Sequence, residues 1–315
     1  MFWSRGIPCF FYWEREKTVN MRIDLVFHGI VICNQCTILL SQYIEYFKVF
    51  SLCIMKILSR NCKRATRTSR VWDYIKLQHV DVILLQEVGE MPDDFWSIFP
   101  FIIKRTPVTK EWNLQKFHNI LASKYPLWQE IALEADIERV SQELHRYRNN
   151  IFWYEVMLSD SEKLNIVLVY SPARPINKER MKLVDTDFIR SRNNPDVYIS
   201  DILWYSLKQK NISQWLRLIW GDFNLSASFD KKKKWWSGNQ HSIERMQDLW
   251  LQECIVKYNW YTATFRHSRW WIVDQIDHIF ISDELQSKSI WCKVDGQCLI
   301  DCLSDHAAVI MELEV

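Results

Sequence analysis

The sequence lacks the features that would indicate a membrane or secreted protein. An apolar stretch at Leu25–Leu40 is interrupted by polar residues, whereas a transmembrane helix needs about 20 mostly apolar residues. Glu14 and Glu16 stand where a secretory signal would be basic, and no small-residue cleavage site follows them. We therefore expect neither a membrane span nor a secretory signal.

The sequence also lacks a second cysteine pair and a strong net charge. Its nine cysteines are odd in number, and Cys33 and Cys36 form a single Cys-x-x-Cys without a partner at zinc-ligand spacing. Four others stand among apolar residues, where cysteine usually packs as a small hydrophobe: Cys254, Cys292, Cys298 and Cys302. We therefore expect reduced thiols in a cytoplasmic protein. The net charge of +2 neither indicates nor excludes a polyanionic partner.

Glycine is scarce, with six residues in the chain. The contents of 48% hydrophobic and 25% charged residues are typical of a globular domain. The first 54 residues contain no motif that carries chemistry, whereas Met55–Ser59 has a clean strand pattern. A chain of 315 residues is most simply organised as one large domain. We predict an N-terminal extension at residues 1–54 that is not part of the folded domain, and a monomeric folded domain at residues 55–315.

Apolar runs of strand length alternate with helical patterns from Met55 onward. The run Val80–Leu85 is nearly continuous, as expected for a strand covered on both faces. Further strands are predicted at residues 151–158, 164–170, 216–220, 276–282 and 308–315, and helices at 66–78 and 242–254. The charged or polar segments 134–150 and 185–201 are interpreted as loops. This mixture favours an α/β fold of stacked sheets with outer helices.

Polar residues follow several of these runs at their C-terminal ends. Asn61, Glu87 and Tyr170 each follow or end a predicted strand, and the tetrapeptide Gly221–Asn224 follows another. A rigid scaffold presents side chains to a cleft from such positions. If the chain stays extended, the aspartate and asparagine of the tetrapeptide project to one side while Phe223 packs beneath them. The same tetrapeptide is also typical of an ordinary turn, and by itself it favours neither interpretation.

The acidic residues and one histidine suit metal-assisted cleavage of a phosphate ester. Mg²⁺ takes oxygen ligands and usually only one or two protein carboxylates. Glu87 and Asp305 match that role. An ordinary exposed acidic residue at a strand end would give the same sequence pattern. His306 must lie in the loop before Ala308, and it would be positively charged if Asp277 accepted its other N–H. Taken singly, His306 matches an ordinary loop histidine.

Five short motifs, in order along the chain from Met55 to Val315, together resemble the endonuclease/exonuclease/phosphatase superfamily. They are Asn61, Gln86-Glu87, Gly221-Asp222-Phe223-Asn224, Ile276-Asp277-His278 and Ser304-Asp305-His306. The resemblance implies a four-layer DNase I-like fold, which is a two-sheet β-sandwich flanked by helices. It also implies that residues 55–315 are the catalytic domain of a divalent-metal phosphodiesterase or phosphomonoesterase.

The resemblance further implies roles for individual residues. Glu87 would bind Mg²⁺ or Mn²⁺, with Asn61 and Asp305 close by. Asp222 would orient or deprotonate the attacking water with help from Asn224.

The remaining implied roles concern the phosphate. His306, paired with Asp277, would stabilise the phosphorane. The segment Val169–Pro172 resembles the tyrosine-bearing strand of abasic-site and retrotransposon endonucleases, which implies that Tyr170 hydrogen-bonds the scissile phosphate.

Two segments combine basic and aromatic residues, as single-strand binders do. They provide five candidate nucleic-acid contacts: Lys232, Lys233, Trp235, Arg266 and Arg269. A solvated basic loop with one tryptophan in the core explains the first segment equally well.

Arg60, Lys63 and Arg64 depart from the family pattern, in which an apolar residue precedes the asparagine and an Asn-Gly or Asp-Gly follows it. These changes bear on the contacts around the metal and add phosphate affinity. Our leading hypothesis is a Mg²⁺-dependent phosphoesterase, specifically an endonuclease acting on DNA. The alternatives are a phosphatase or phospholipase on a small or lipid phosphoester, and a catalytically weak module that binds nucleic acid.

Overall fold

The computed structural model describes residues 54–210, 216–232, 238–267, 273–301 and 303–315. The predicted N-terminal extension, residues 1–54, lies outside these ranges apart from Ile54. Within the described ranges, no helix is both long and apolar enough to cross a membrane.

Strands and mostly short helices alternate along the described residues. In chain order the strands are β1 (Ile54–Ala65), β2 (Val82–Val88), β3 (Phe101–Arg105), β4 (His118–Ser123), β5 (Leu127–Ile131), β6 (Ile151–Met157), β7 (Lys163–Tyr170), β8 (Arg217–Asp222), β9 (Leu251–Glu253), β10 (Phe265–Arg266), β11 (Val273–Asp274), β12 (Asp277–Ser282), β13 (Ser289–Asp295) and β14 (Ala308–Glu314). The helices are α1 (Val71–Leu77), α2 (Phe95–Ile98), α3 (Glu138–Arg146), α4 (Lys178–Met181), α5 (Ile199–Gln209), α6 (Ala227–Lys232), α7 (Gly238–Gln247), α8 (Cys254–Asn259), α9 (Asp283–Ser287) and α10 (Gln297–Ile300).

The longer strands form two six-stranded mixed sheets. The first has the order β13-β14-β1-β2-β4-β3 and the second has the order β5-β6-β7-β8-β12-β9. Each sheet contains one parallel pair, β1 with β2 and β7 with β8. Each pair has an antiparallel neighbour, β14 beside β1 and β12 beside β8. The C-terminal ends of the parallel strands therefore lie at the same sheet edge as the N-terminal ends of β12 and β14.

Three hydrophobic clusters separate four layers. The central cluster packs the facing sides of the sheets together, with Leu84 and Met311 from the first and Trp220 from the second. The free thiols of Cys254 and Cys292 pack in this cluster as small hydrophobes. Helices α1 and α2 cover the outer side of the first sheet, and α3, α5 and α7 cover the outer side of the second. The order helix, sheet, sheet, helix confirms the predicted α/β sandwich.

Two predictions of local structure were wrong. The predicted loop 134–150 contains the helix α3, whose charged sequence hides a narrow apolar stripe that buries Val140 and Leu144. The predicted helix 242–254 instead ends at Gln247 and is followed by the edge strand β9. Trp250, which lies within the predicted helix, is 70% exposed with φ 59°, because the chain reverses there before pairing with β12.

Candidate active site

The strand ends of the two sheets bring the predicted catalytic side chains together. In the second sheet, Tyr170 pairs with Asp222 and Asp222 pairs with Asp277 across three neighbouring strands. In the first sheet, Asn61 pairs with Gln86 at the ends of β1 and β2. The polar side chains at these strand ends therefore form one cluster above the central core, and it is called the cluster below.

Asp222 links the two sheets. Its Oδ2 accepts a hydrogen bond of 3.1 Å from Asn61 Nδ2, and its Oδ1 accepts one of 2.9 Å from the backbone N–H of Asn224. The carboxyl is 2% exposed. Burial raises the pKa of Asp222 to about 7, the negative charges of Asp277 and Glu87 act in the same direction, and His306 opposes them. Asp222 can thus exchange a proton near neutral pH, as a general base must.

His306 forms a buried pair with Asp277. Its Nδ1 lies 2.9 Å from Asp277 Oδ2 and 3.2 Å from Oδ1, while its Nε2 lies 3.9 Å from Asp222 Oδ2. Burial alone lowers the pKa of His306, but the charge and hydrogen bond of Asp277, with Asp222 adding to them, raise it to about 9. The ring is therefore an imidazolium at neutral pH, and its Nε2 lies within ion-pair distance of the Asp222 carboxyl.

Glu87 and Tyr170 form the other side of the cluster. The Tyr170 hydroxyl donates a hydrogen bond of 3.2 Å to Glu87 Oε1. Burial raises the pKa of Tyr170, and the nearby Glu87 and Asp222 carboxylates raise it further, so the hydroxyl stays protonated and remains a donor. Glu87 itself has φ 51°, a left-handed conformation in which a non-glycine residue is strained. Such strain at a strand end is typical of functional sites.

The family of the chain follows from these groups and from a sequence comparison. A model described as the Endonuclease/Exonuclease/phosphatase family matches residues 54–306, most of the chain. The chain belongs to the endonuclease/exonuclease/phosphatase family. This membership places it among phosphoester hydrolases. No curated protein matches the sequence.

Solved structures of family members share the fold. An AP endonuclease from Archaeoglobus fulgidus is 16% identical, with a TM-score of 0.59, over 83% of this chain and 100% of that one. A family protein from Beutenbergia cavernae is 14% identical, with a TM-score of 0.57, over 83% and 72%. The 3′ phosphatase NExo from Neisseria is 15% identical, with a TM-score of 0.55, over 83% and 100%. At these identities the likeness shows the fold alone.

The oxygen donors of this family member fit a divalent metal ion held by few protein ligands. Glu87 and Asp305 each present a partly exposed carboxylate, and Mg²⁺ usually takes only one or two of these and keeps several waters. Asn61 Oδ1 accepts a 3.0 Å bond from the backbone N–H of Lys63, which uses one of its two lone pairs. Among the described residues, no group of three or more His, Cys, Asp and Glu side chains is arranged to hold a metal ion.

Asn224 has a different backbone from the extended one assumed in the sequence analysis. Its φ is 51°, and its Nδ2 donates a 2.7 Å hydrogen bond to the carbonyl of Ser171. The side chain thus ties the segment after β8 to the segment after β7. Phe223 packs beneath, as predicted, against the rings of His278 and Phe280.

Gly221 holds β8 close to β7. Its φ is +153°, and a Cβ on this residue would overlap the carbonyl oxygen of Val169. The residue is therefore required by the close approach of two backbones rather than by a bend.

Substitution of Gly221 by alanine is expected to destabilise the protein by about 2–6 kcal/mol, since overpacking and an unfavourable φ each cost about 1–3 kcal/mol. Urea unfolding measures the change. Gly296→Ala is the matched control, because nothing lies within 4 Å of its added Cβ. Equal stability of the two variants would contradict the close-approach role.

A buried network that the sequence analysis missed supports the loop after Asp222. His278 Nε2 donates to the carbonyl of Leu225 at 2.9 Å, and its Nδ1 lies 3.4 Å from Glu253 Oε1. Burial lowers the pKa of His278, but the contact with Glu253 outweighs it and raises the pKa overall. His278 follows Asp277 in the same strand, so strand alternation places its side chain on the opposite face of the sheet. This alternation was the sequence signal that could have predicted a buried role for His278.

Only two of the five predicted nucleic-acid contacts lie among the described residues. Arg266 is exposed on β10, and its backbone N–H donates to the carbonyl of Asp305 at 2.8 Å. Lys232 is the last residue of α6. Lys233, Trp235 and Arg269 lie outside the described residues.

A cavity of about 380 Å³ lies next to the cluster. Asn224 and Phe265 form the wall nearest the cluster, and the Phe265 ring centroid is 5.0 Å from that of His306. Apolar and aromatic side chains supply much of the remaining wall: Tyr198, Leu225, Phe229 and Ile276. The cavity therefore places apolar and aromatic side chains beside His306.

Proposed function

We propose that this family member is a Mg²⁺- or Mn²⁺-dependent endonuclease that hydrolyses phosphodiester bonds in DNA. The juxtaposition of Asp222 and His306 carries the proposal. A buried carboxyl with a pKa near 7 lies 3.9 Å from an imidazolium, so a proton acceptor and a fixed cationic donor face the same space. A general base for the attacking water and a fixed donor for the developing oxyanion both accelerate the hydrolysis of a phosphate ester.

Each side chain then has a defined task. Asp222 accepts the proton of the attacking water, and Asn61 fixes the orientation of that carboxylate through its Nδ2–H. His306 donates its Nε2–H to a phosphate oxygen on which negative charge develops, while Asp277 holds the ring in place. Tyr170 supplies a second hydrogen-bond donor to the phosphate, and this donor is neutral. Glu87 and Asp305 would hold the divalent ion, which when bound offsets charge on the phosphate oxygens.

Three observations support DNA over a lipid or inositol phosphate. The segment Val169–Pro172, which contains Tyr170, resembles the tyrosine-bearing strand of abasic-site endonucleases. The cavity beside His306 has aromatic walls suited to a nucleoside. Among the structural neighbours, one is named an AP endonuclease and another was solved with a product DNA hairpin.

Plasmid nicking tests the proposal. Supercoiled plasmid with and without abasic sites is incubated with the protein and Mg²⁺, beside a panel of phospholipids and inositol phosphates. Nicking that falls steeply with salt is expected, because DNA phosphates release counterions on binding. Turnover of the lipid or inositol panel alone would favour the phosphatase or phospholipase alternative. DNA binding without turnover would favour the catalytically weak module.

We also propose that residues 55–315 fold as the catalytic domain without the preceding segment. The family match begins at residue 54, and β1 starts at Ile54 with its pairing to β14 and β2 complete within the described residues. Deletion of residues 1–53 is expected to leave the thermal unfolding midpoint and the specific activity unchanged. Deletion of residues 1–59 is the control that should unfold, because it removes Met55 and Ile57 from the central cluster. Unfolding of both truncated proteins would contradict this boundary.

A further inference from the structure

The strand β1 carries a two-residue bulge beside the active site. Lys63 has φ 48° and Arg64 has φ 58°, and the pairing of β1 with β2 shifts between Asn61 and Ala65. Two successive non-glycine residues in the left-handed region cost free energy, and such strain persists only where the surrounding structure fixes it.

The surroundings do fix this bulge. The Lys63 N–H donates to Asn61 Oδ1 at 3.0 Å, and the Glu90 N–H donates to the Ala65 carbonyl at 2.8 Å. Gly89 packs so closely that a Cβ on it would lie 2.8 Å from the Arg64 carbonyl oxygen. The side chains of the bulge are therefore held at a defined place on the rim of the cluster.

Both side chains of the bulge bring positive charge to the carboxylates. Lys63 Nζ lies 3.1 Å from Asp305 Oδ2, and the lysine side chain is 51% exposed. The Arg64 guanidinium lies 5.5 Å from the Phe117 ring centroid, and that ring packs edge-on against Tyr170. Arg60, by contrast, lies on the opposite face of β1 with its guanidinium 5.3 Å from the Tyr74 ring centroid, so it is directed away from the site.

These positions matter because the cluster is rich in negative charge. Glu87, Asp222, Asp277 and Asp305 face a space that must admit a phosphate anion, and like charges in a partly buried site repel strongly. His306 is paired with Asp277. Lys63 is half-exposed, on a flexible four-carbon stem, and able to turn from Asp305 to an incoming anion.

We propose that Lys63 is a cationic ligand for the substrate phosphate and that it shares Asp305 with the divalent ion. The inference rests on the proposed phosphodiesterase function. In the free protein the Lys63 ammonium forms an ion pair with Asp305. A divalent ion held by Asp305 would leave the ammonium free to bind the phosphate. Removing the Lys63 charge therefore changes metal affinity and phosphate affinity in opposite directions.

Lys63→Met tests this proposal with two binding measurements. The electron paramagnetic resonance signal of free Mn²⁺ reports metal affinity. Fluorescence anisotropy of a labelled duplex oligonucleotide with Mg²⁺ reports DNA affinity, and the Asp222→Asn background slows turnover during the measurement. We expect Mn²⁺ to bind about threefold tighter or more, as for loss of a competing exposed ion pair. DNA should bind about threefold more weakly, and the slope of log affinity against log salt should fall by about 0.9, the value for one phosphate contact.

Two control variants make the result specific. Lys56→Met removes a lysine from the same strand that pairs with Glu312 at 4.0 Å, far from the cluster, and should change neither affinity. Lys63→Arg keeps the charge and should restore most of the salt slope. Unchanged or weaker Mn²⁺ binding in Lys63→Met, or an unchanged salt slope, would overturn the proposal. A failure of DNA binding in the protein that retains Lys63 would instead count against the proposed function, and the Mn²⁺ measurement would still decide the role of Lys63 at Asp305.

Discussion

Replacement of Asp222 by asparagine is expected to lower turnover at least about 100-fold, the scale on which loss of a positioned general base acts. The asparagine Oδ1 can still accept from the Asn224 N–H, so the loop after β8 should keep its geometry, whereas the bond that Asn61 Nδ2 donates to the second carboxylate oxygen is lost. What it loses is the ability to take a proton from water. Steady-state nicking rates measure the effect.

The pH profile separates loss of the base from loss of structure. The proposed function needs Asp222 deprotonated and His306 protonated, and their pKa values are raised to about 7 and about 9. The rate should therefore rise through about pH 7 and fall through about pH 9, with both limbs belonging to the coupled pair. In Asp222→Asn the rising limb should disappear from the residual rate.

Asp81→Asn is the matched control for this substitution. Asp81 is a partly buried carboxylate that accepts from the Lys56 N–H at 2.9 Å, and it lies at the opposite end of β2 from Glu87. Its turnover should equal that of the unsubstituted protein. Normal turnover in Asp222→Asn would remove Asp222 from the chemistry.

Replacement of Glu87 by glutamine is the second large effect expected, again at least about 100-fold in turnover. The amide oxygen of glutamine can still accept from the Tyr170 hydroxyl, but it carries no charge for a divalent ion. Mn²⁺ affinity measured without substrate should fall together with turnover.

Glu90→Gln provides the comparison for Glu87→Gln. Glu90 lies three residues further on, is exposed and pairs with Arg67 at 2.8 Å. Its replacement should leave Mn²⁺ affinity and turnover unchanged. If Glu87→Gln bound Mn²⁺ normally yet lost activity, Glu87 would act on the phosphate through Tyr170 rather than through the metal.

The sequence predicted the strands and the groups at their ends because both depend on local pattern. Apolar runs of strand length specify β2 and β8, and Glu87 and Asp222 then follow from chain order. The pairing of His306 with Asp277 was expected from the resemblance and is present at 2.9 Å.

Other features depend on contacts between distant segments. The left-handed backbone of Asn224 is set by Ser171, and the bulge at Lys63 is set by Gly89. Neither residue pair is marked by periodicity or motif. The helix α3 was missed because charged residues dominate its sequence and only two or three positions face the core.

The position of β14 governs when the protein can become active during synthesis. This strand is inserted between β13 and β1, and just before it the Ser304 hydroxyl donates to the Asn61 carbonyl, 243 residues away, at 2.8 Å. At ribosomal rates of about 5–20 residues per second, Ser304 is synthesised roughly 10–50 s after Asn61. A nascent chain that ends before Ser304 lacks Asp305 and His306, so the proposed cluster is complete only after the segment preceding β14 has been synthesised.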